Sequence, residues 1–463
     1  MRTRLSAATI DRLRGDVLLP GYDWAGQGVG IVHLGIGAFH RAHQAVYTDA
    51  AMASGDRNWR IAGVSLRSRG VRDALAPQDG LYTVTERDAG GERTALIGAV
   101  SDVVVAPERP GATAALLADP GVRVVTLTVT EKAYHRRADG SLDVDAVANA
   151  AGTIYHHLAA GLASRHARRM PGLTLVSCDN LADNGGVLRR ALSIWLERVN
   201  PALRRWFEVE CACPATMVDR IVPALTPEIR DGVAAAIGLR DEGAIVTEPF
   251  RQWIVEDCFA GPRPRWELAG AQLVADVAPF EAAKLRMLNG AHSALAYLGL
   301  RRGYTYVHQA IGDPAIAGTV ERLMRTEAAA SVERAPGQDL SAYADALIAR
   351  FRNPALRHEL AQIATDGSQK ISQRWLEPLA INAAQGRRCP ATLRALAAWI
   401  AHVSGDGARV VDPLADRLAA TWAMAGRGGI VAALVGENGI LAGGWVPDRE
   451  DEALLATELA SLR

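Results

Sequence analysis

The chain has 463 residues, more than one ordinary hydrophobic core accommodates, so two domains are expected. Apolar residues make up 49% and charged residues 22%, a globular balance that excludes a disordered chain. Lys plus Arg number 51 and Asp plus Glu number 51, so the net charge is zero and gives no support for nucleic acid as a partner.

The N-terminal stretch MRTRLSAATIDRLRGDVLLPGYDW lacks the apolar core of a signal peptide. No stretch approaches the roughly 18 uninterrupted apolar residues of a membrane span. The five cysteines, an odd number, do not form a disulfide framework and fit a reducing compartment. The expectation is a soluble cytoplasmic protein with a small-molecule partner.

The first half alternates strand-like and helix-like segments. GIVHLGIG is a short apolar run ending in Gly35 and Gly37, and AHQAVYTDAAMASG after it has helical character. WRIAGVSL (59–66), TALIGAVSDVVVA (94–106), VRVVTLTVT (122–130) and GLTLVSCDN (172–180) add β-rich sequence, with the helical AVANAAGTIYHHLAAGLASRHA between the last two. This pattern predicts an α/β fold, a Rossmann-type doubly wound parallel sheet. After about residue 280 strand signals nearly vanish, and helical segments punctuated by Gly and Pro follow. The expected division is a dinucleotide-binding domain with an extension over 1–278 and a mostly helical substrate domain over 279–463. Residues 214–280 read as the extension.

The glycine turn is the first candidate site. Gly35, Ile36, Gly37, Ala38 and Phe39 lie between a strand and a helix, where backbone N–H groups hold a dinucleotide pyrophosphate. The third position of G-x-G-x-x-G is His40, so the fingerprint is incomplete. His40 and His43, three apart, are expected on one helix face, and Cys211 and Cys213 form a C-x-C pair. Neither pair has the further ligands of a zinc site, and no metal is expected. No acid ends the second strand to select NAD; Arg67 and Arg69 stand there instead, as partners of a 2′-phosphate or as solvated loop residues.

The second candidate is KLRMLNGAHS, residues 284–293. At ~100° per residue Asn289 and His292 stand about 60° apart, with Lys284 roughly 12 Å of rise before His292. The apolar neighbours Leu285, Leu288, Ala291 and Leu295 predict a helix buried on most sides, and Gly290 predicts close approach by a backbone or ligand.

The blocks GIGAFHRAHQAVYTD, QDGLYTVTERD, VTLTVTEKAY, SCDNLADNG, MVDRIVP, EPFRQWIVED, KLRMLNGAHSALAYLG and ATDGSQK follow one another from residue 30 to about 375. In them the chain resembles the mannitol dehydrogenase family of long-chain polyol dehydrogenases, which includes fructuronate reductases. The resemblance implies metal-independent hydride transfer between a secondary alcohol carbon and NAD, or NADP, in a monomer. It implies Lys284 as acid/base, Asn180 and Asn289 as the amide pair that polarises the carbonyl, and His292 as an orienting group, facing the cofactor across a domain cleft. Lys132 is a rival base whose place fits cofactor or substrate contact better.

This chemistry is sound: desolvation lowers a lysine toward a useful base, and two fixed amides form an oxyanion site without a metal. EPFRQWIVED, NPALRH and DGSQKISQR look closer to fructuronate reductases than to mannitol enzymes. Arg251, Lys370 and Arg374 then become cationic partners for a hexuronate carboxylate, although Arg251 also reads as a structural partner of Glu256 or Asp257. Gln362 stands where mannitol enzymes carry arginine. A neutral polyol such as mannitol, arabinitol or sorbitol is the alternative substrate.

Overall fold

The computed structural model describes residues 2–462 and divides into two compact units on either side of the Val277–Ala278 bond. The strands of the first unit, in chain order, are β1 (Val29–Leu34), β2 (Arg60–Ser65), β3 (Tyr82–Asp88), β4 (Gly91–Ile97), β5 (Val100–Val105), β6 (Val124–Leu127), β7 (Thr174–Ser177), β8 (Thr216–Asp219), β9 (Ile245–Thr247), β10 (Gln252–Glu256) and β11 (Gln272–Val274).

Five of them form a parallel sheet in the order β5-β2-β1-β6-β7. With β1 central and the chain winding outward on both sides, the order reverses between β1 and β6. The crevice beyond the carboxyl ends of those two strands is where such sheets bind ligands. Successive residues feed opposite layers, as strand geometry requires. Val32, Leu34, Val125 and Leu127 pack with Leu158, Leu188 and Trp195, whereas Ile31, Ile61 and Val124 pack with Tyr47, Met52 and Trp253. Burial on both faces explains why these strands are continuous apolar runs.

The remaining strands correct the expectation of a simple βαβ series. TALIGAVSDVVVA holds two strands: β4 pairs antiparallel with β3, and only β5 joins the main sheet. From the expected extension, β9 adds parallel to β3, and β8 and β11 flank β10 in a second small sheet. Asp241 fixes β3 to this region, its carboxylate accepting from the backbone and hydroxyl of Thr83, Nε2 of Gln78 and the Gly243 N–H.

The second unit is helical, with Pro390–His402 at its centre, buried without interruption from Ala395 to His402. The buried Glu327 carboxylate caps it, accepting the Ala391 N–H at 2.9 Å and the Thr392 N–H at 2.7 Å. Three segments, Lys284–Asn289, Leu323–Ala328 and Ser372–Leu376, are π-helical turns inside α-helices. The closing N–H groups of Gly290, Ala329 and Glu377 reach back five residues, to Leu285, Met324 and Ser372. Helix Ala415–Val435 has the length and apolar composition of a membrane span, with 22% of its apolar window buried. It breaks at Gly426 (φ 57°, ψ −178°) into two pieces, each shorter than the ~20 residues a span needs.

Candidate active site

In the first unit the glycine turn follows β1 directly. Gly35 has φ +91°, and a Cβ there would collide with the Thr128 carbonyl oxygen, so only glycine fits. Gly37 is extended (φ −120°, ψ −169°) and precedes the helix Ala38–Ala42. Thr128 locks this turn, donating its hydroxyl to the Gly35 carbonyl at 3.1 Å. That hydroxyl must then accept from His33 Nε2, 2.8 Å away, which leaves His33 Nδ1 to accept from the Thr126 hydroxyl at 2.7 Å. Burial pushes His33 down to about 3, so this relay is neutral.

His40 and His43 do not share a helix face. The chain breaks at His43 (φ −120°, ψ −88°), between the helices Ala38–Ala42 and Gln44–Ala53. His40 stacks on His33 with ring centroids 3.4 Å apart. His43 donates Nε2–H to the Gln252 carbonyl at 2.9 Å and lies against Phe39 and Trp253. Desolvation pushes both well down the scale, His43 to about 3. Cys211 and Cys213 are buried thiols, and Cys211 Sγ accepts the Leu173 N–H at 3.4 Å.

Asn180 and Lys132 lie in the loops that leave β7 and β6, both exposed. Asp179 ties these loops together, accepting the N–H groups of Val129 and Thr130 at 2.8 Å each on Oδ1 and the Tyr134 hydroxyl at 2.8 Å on Oδ2. Thr130 is held at φ 71° beside it, a conformation that costs a non-glycine residue about 1–3 kcal/mol. Asp179 therefore sets the positions of Lys132 and Asn180, a role without a signature in sequence. Arg67 is exposed in the loop after β2, and its neighbour Arg69 lies 3.9 Å from Asp73.

Arg251 stands with a different group. Its guanidinium lies 4.0 Å from Glu86 and 4.9 Å from the centre of the Tyr47 ring, and it lines a cavity of about 370 Å³ with Glu86 and Arg93. Its acidic partner is thus Glu86, in place of Glu256, which accepts the Ala215 N–H, or Asp257, which lies 3.9 Å from Arg263. Arg220, unnoticed in the sequence, is the buried centre of this region. It donates to the carbonyls of Ala42 (2.6 Å) and Glu248 (2.7 Å) and pairs with Glu86.

In the second unit Lys284, Asn289 and His292 lie along one continuous helix, but the turn from Lys284 to Asn289 is π rather than α. An α-helix would put these two residues ~140° apart, whereas here they begin and end one wider hydrogen-bonded turn. Met287, Leu288, Gly290 and Ala291 are buried, while Lys284, Asn289 and His292 are half-buried. His292 packs against Phe351 and His358, at centroid distances of 4.8 and 5.3 Å. Desolvation first, then His358 and nearby arginines, holds it well below its ordinary value, so it is neutral near pH 7.

Lys370 and Arg374 come from the neighbouring segment, helix Gly367–Ile371 and the π turn Ser372–Leu376. Lys370 donates to the Thr365 carbonyl, and burial followed by the Arg374 charge lowers its affinity for a proton. Arg374 Nη1 donates to Ser293 Oγ at 2.8 Å and to the Asn289 carbonyl at 3.3 Å. Gly290 meets this segment's backbone: a Cβ there would lie 3.4 Å from the Arg374 carbonyl oxygen. Gln362 is exposed.

A doubly wound sheet with a glycine turn at its central strand, followed by a helical unit presenting a half-buried lysine, asparagine and histidine, defines an oxidoreductase of the dinucleotide-fold class. Residues 29–268 match the mannitol dehydrogenase Rossmann domain, and residues 276–448 match the mannitol dehydrogenase C-terminal domain. The chain belongs to the mannitol dehydrogenase family.

Among its relatives, D-mannonate oxidoreductase of Escherichia coli (strain K12) is 40% identical over 448 residues, 92% of this chain and 91% of that protein. A ternary complex of Pseudomonas fluorescens mannitol 2-dehydrogenase with NAD and D-mannitol superimposes with a TM-score of 0.82 at 33% identity, covering 99% of this chain and 97% of the other. Substrate-free D-sorbitol dehydrogenase gives 0.88 at 31% identity, covering 100% and 97%.

Proposed function

We propose that this protein is an NAD(P)-dependent oxidoreductase of the cytoplasm that interconverts a 2-keto hexuronate and its sugar acid, of the fructuronate/mannonate type. The observation that carries the substrate class is Lys370, a half-buried cation on the segment that Arg374 bonds directly to the helix of Lys284 and Asn289. The 40% identity to a D-mannonate oxidoreductase supports the same reading.

The first unit suits a dinucleotide. Gly35 supplies the positive φ, Gly37 leaves its Cβ position open to 3.7 Å, and Ile36, Ala38 and Phe39 complete the turn. When bound, the nicotinamide supplies or accepts the hydride. In the reductive direction Lys284 delivers a proton to the substrate carbonyl oxygen, and in the oxidative direction it takes that proton back. Asn180 and Asn289 donate amide N–H bonds to the oxygen as it gains charge, and neutral His292 orients the substrate. Lys132 and Arg67 serve the cofactor, Lys370 the substrate carboxylate, and Arg251 belongs to the substrate side through its cavity with Glu86. The protein acts as a monomer.

A neutral polyol is the second reading, favoured by the likeness to mannitol and sorbitol dehydrogenases. The test follows absorbance at 340 nm with NADH or NADPH against fructuronate, tagaturonate, fructose and xylulose. Oxidation of the cofactor by a uronate, at kcat/KM at least about 10-fold above the neutral ketoses, is expected; one charge-assisted contact supplies roughly 1.5–3 kcal/mol. Turnover of the neutral ketoses alone assigns the polyol branch instead.

A further inference from the structure

We propose that Arg374, assisted by Trp375, is a positioning residue that locks the π turn Lys284–Asn289 from the neighbouring helix. The inference rests on the assignment of Lys284 and Asn289 to the active site.

A π turn carries one residue more than the α-helix around it, and it is kept where outside contacts favour it. Two such contacts meet this turn at its end. Arg374 Nη1 reaches the Asn289 carbonyl (3.3 Å) and Ser293 Oγ (2.8 Å), bracketing one helical turn, and Trp375 Nε1 reaches the Gly290 carbonyl at 3.2 Å. Both donors come from a segment that is itself a π turn, so two irregular turns face one another. Gly290 suits that approach, because a Cβ there would already be in van der Waals contact with the Arg374 carbonyl and the Trp375 indole, at 3.4 and 3.5 Å.

The lock has a functional consequence. Relaxing Lys284–Asn289 to α-helix would change the angle between these residues by roughly 100°, the turn of one residue. Lys284 would then leave the face that presents Asn289 and His292. A displacement of ~1 Å in a catalytic group already costs about 100-fold in rate.

The chemistry of Arg374 fits a structural lock better than a surface cation. Its acceptors are a carbonyl and a hydroxyl, and no carboxylate pairs with it among the described residues. Burial lowers it to about 10, so it keeps its proton and both donor contacts across the neutral range. Trp375 beside it is fully buried, which fixes the segment.

The experiment measures kcat, KM and NADH affinity in Arg374→Met, Arg374→Lys and Ser293→Ala. Arg374→Met is expected to lower kcat about 100-fold while KM and the NADH Kd change less than about 3-fold; Arg374→Lys is expected to recover about a tenth of the wild-type rate. Ser293→Ala, which removes one acceptor and keeps the fold, is expected to lose about 3-fold to 10-fold in kcat. In a double-mutant cycle with Asn289→Ala the losses are expected to be strongly non-additive, because both act on one turn.

Unchanged kcat in Arg374→Met, or a loss carried entirely by KM, overturns the inference; the second result would make Arg374 a substrate contact. If Arg374→Met does not fold, Ser293→Ala and Arg374→Lys decide, and wild-type kcat in both overturns it. Lys284→Ala in the same assay separates the two claims. An active Lys284→Ala refutes the assignment of the site, whereas an inactive one beside a fully active Arg374→Met refutes the lock alone.

Discussion

Lys284→Ala is expected to reduce kcat by about 10²- to 10⁴-fold, the usual contribution of one positioned acid/base. NADH affinity is expected to stay within about 2-fold of wild type, because the glycine turn belongs to the other compact unit. Lys284 is half-buried at the start of its π turn, with the buried Ala283 before it and Met287 after it. Truncation leaves the buried Ala283 and Met287 in place, so the variant is expected to fold. Stopped-flow reduction kinetics and a fluorescence titration with NADH make the comparison. A variant turning over within 10-fold of wild type at neutral pH would remove Lys284 from the chemistry.

Gly35→Ala is expected to have a large effect on the first unit. The substitution imposes a left-handed conformation on alanine, at about 1–3 kcal/mol, and drives its Cβ into the Thr128 carbonyl. Thr128 cannot withdraw freely: its N–H is bonded to the Leu34 carbonyl at 3.0 Å, and its hydroxyl is held by Gly35 and His33. A loss of about 3 kcal/mol or more in unfolding free energy is expected, with NADH binding lost by at least about 30-fold. Gly37→Ala is the control. It has negative φ and no neighbour closer than 3.7 Å, so it is expected to fold normally. Any fall in its NADH affinity then reports how closely the cofactor approaches the turn. Denaturant titration separates the two variants, and equal stability of Gly35→Ala and wild type would contradict the account of the turn.

The parallel sheet was legible because β1, β2, β6 and β7 are buried on both faces and therefore read as apolar runs. Strand β3, YTVTERD, escaped notice: its second half carries exposed or half-buried charges, and antiparallel pairing with β4 sustains it. The glycine turn was legible from type and place alone. The histidine pair misled, since three-residue spacing implies one helix face only if the helix continues, and it breaks at His43.

The π turn was not readable in KLRMLN. Its apolar positions suit an ordinary α-helix, and what shifts it lies 85 residues away in Arg374 and Trp375. Asp179 and Arg220 share that invisibility. A lone acid or arginine has no motif, and its role appears only when backbone groups from distant segments converge on it.

The most direct measurement traces the hydride itself. NADH carrying deuterium at the transferred C4 position would be incubated with fructuronate and the wild-type protein, and the product analysed by mass spectrometry. The account predicts one deuterium on the new carbinol carbon, incorporated at least about 100-fold more slowly when Lys284→Ala replaces the wild type with NADH still bound. Absence of deuterium from the products of both fructuronate and fructose, with NADH bound, would contradict it.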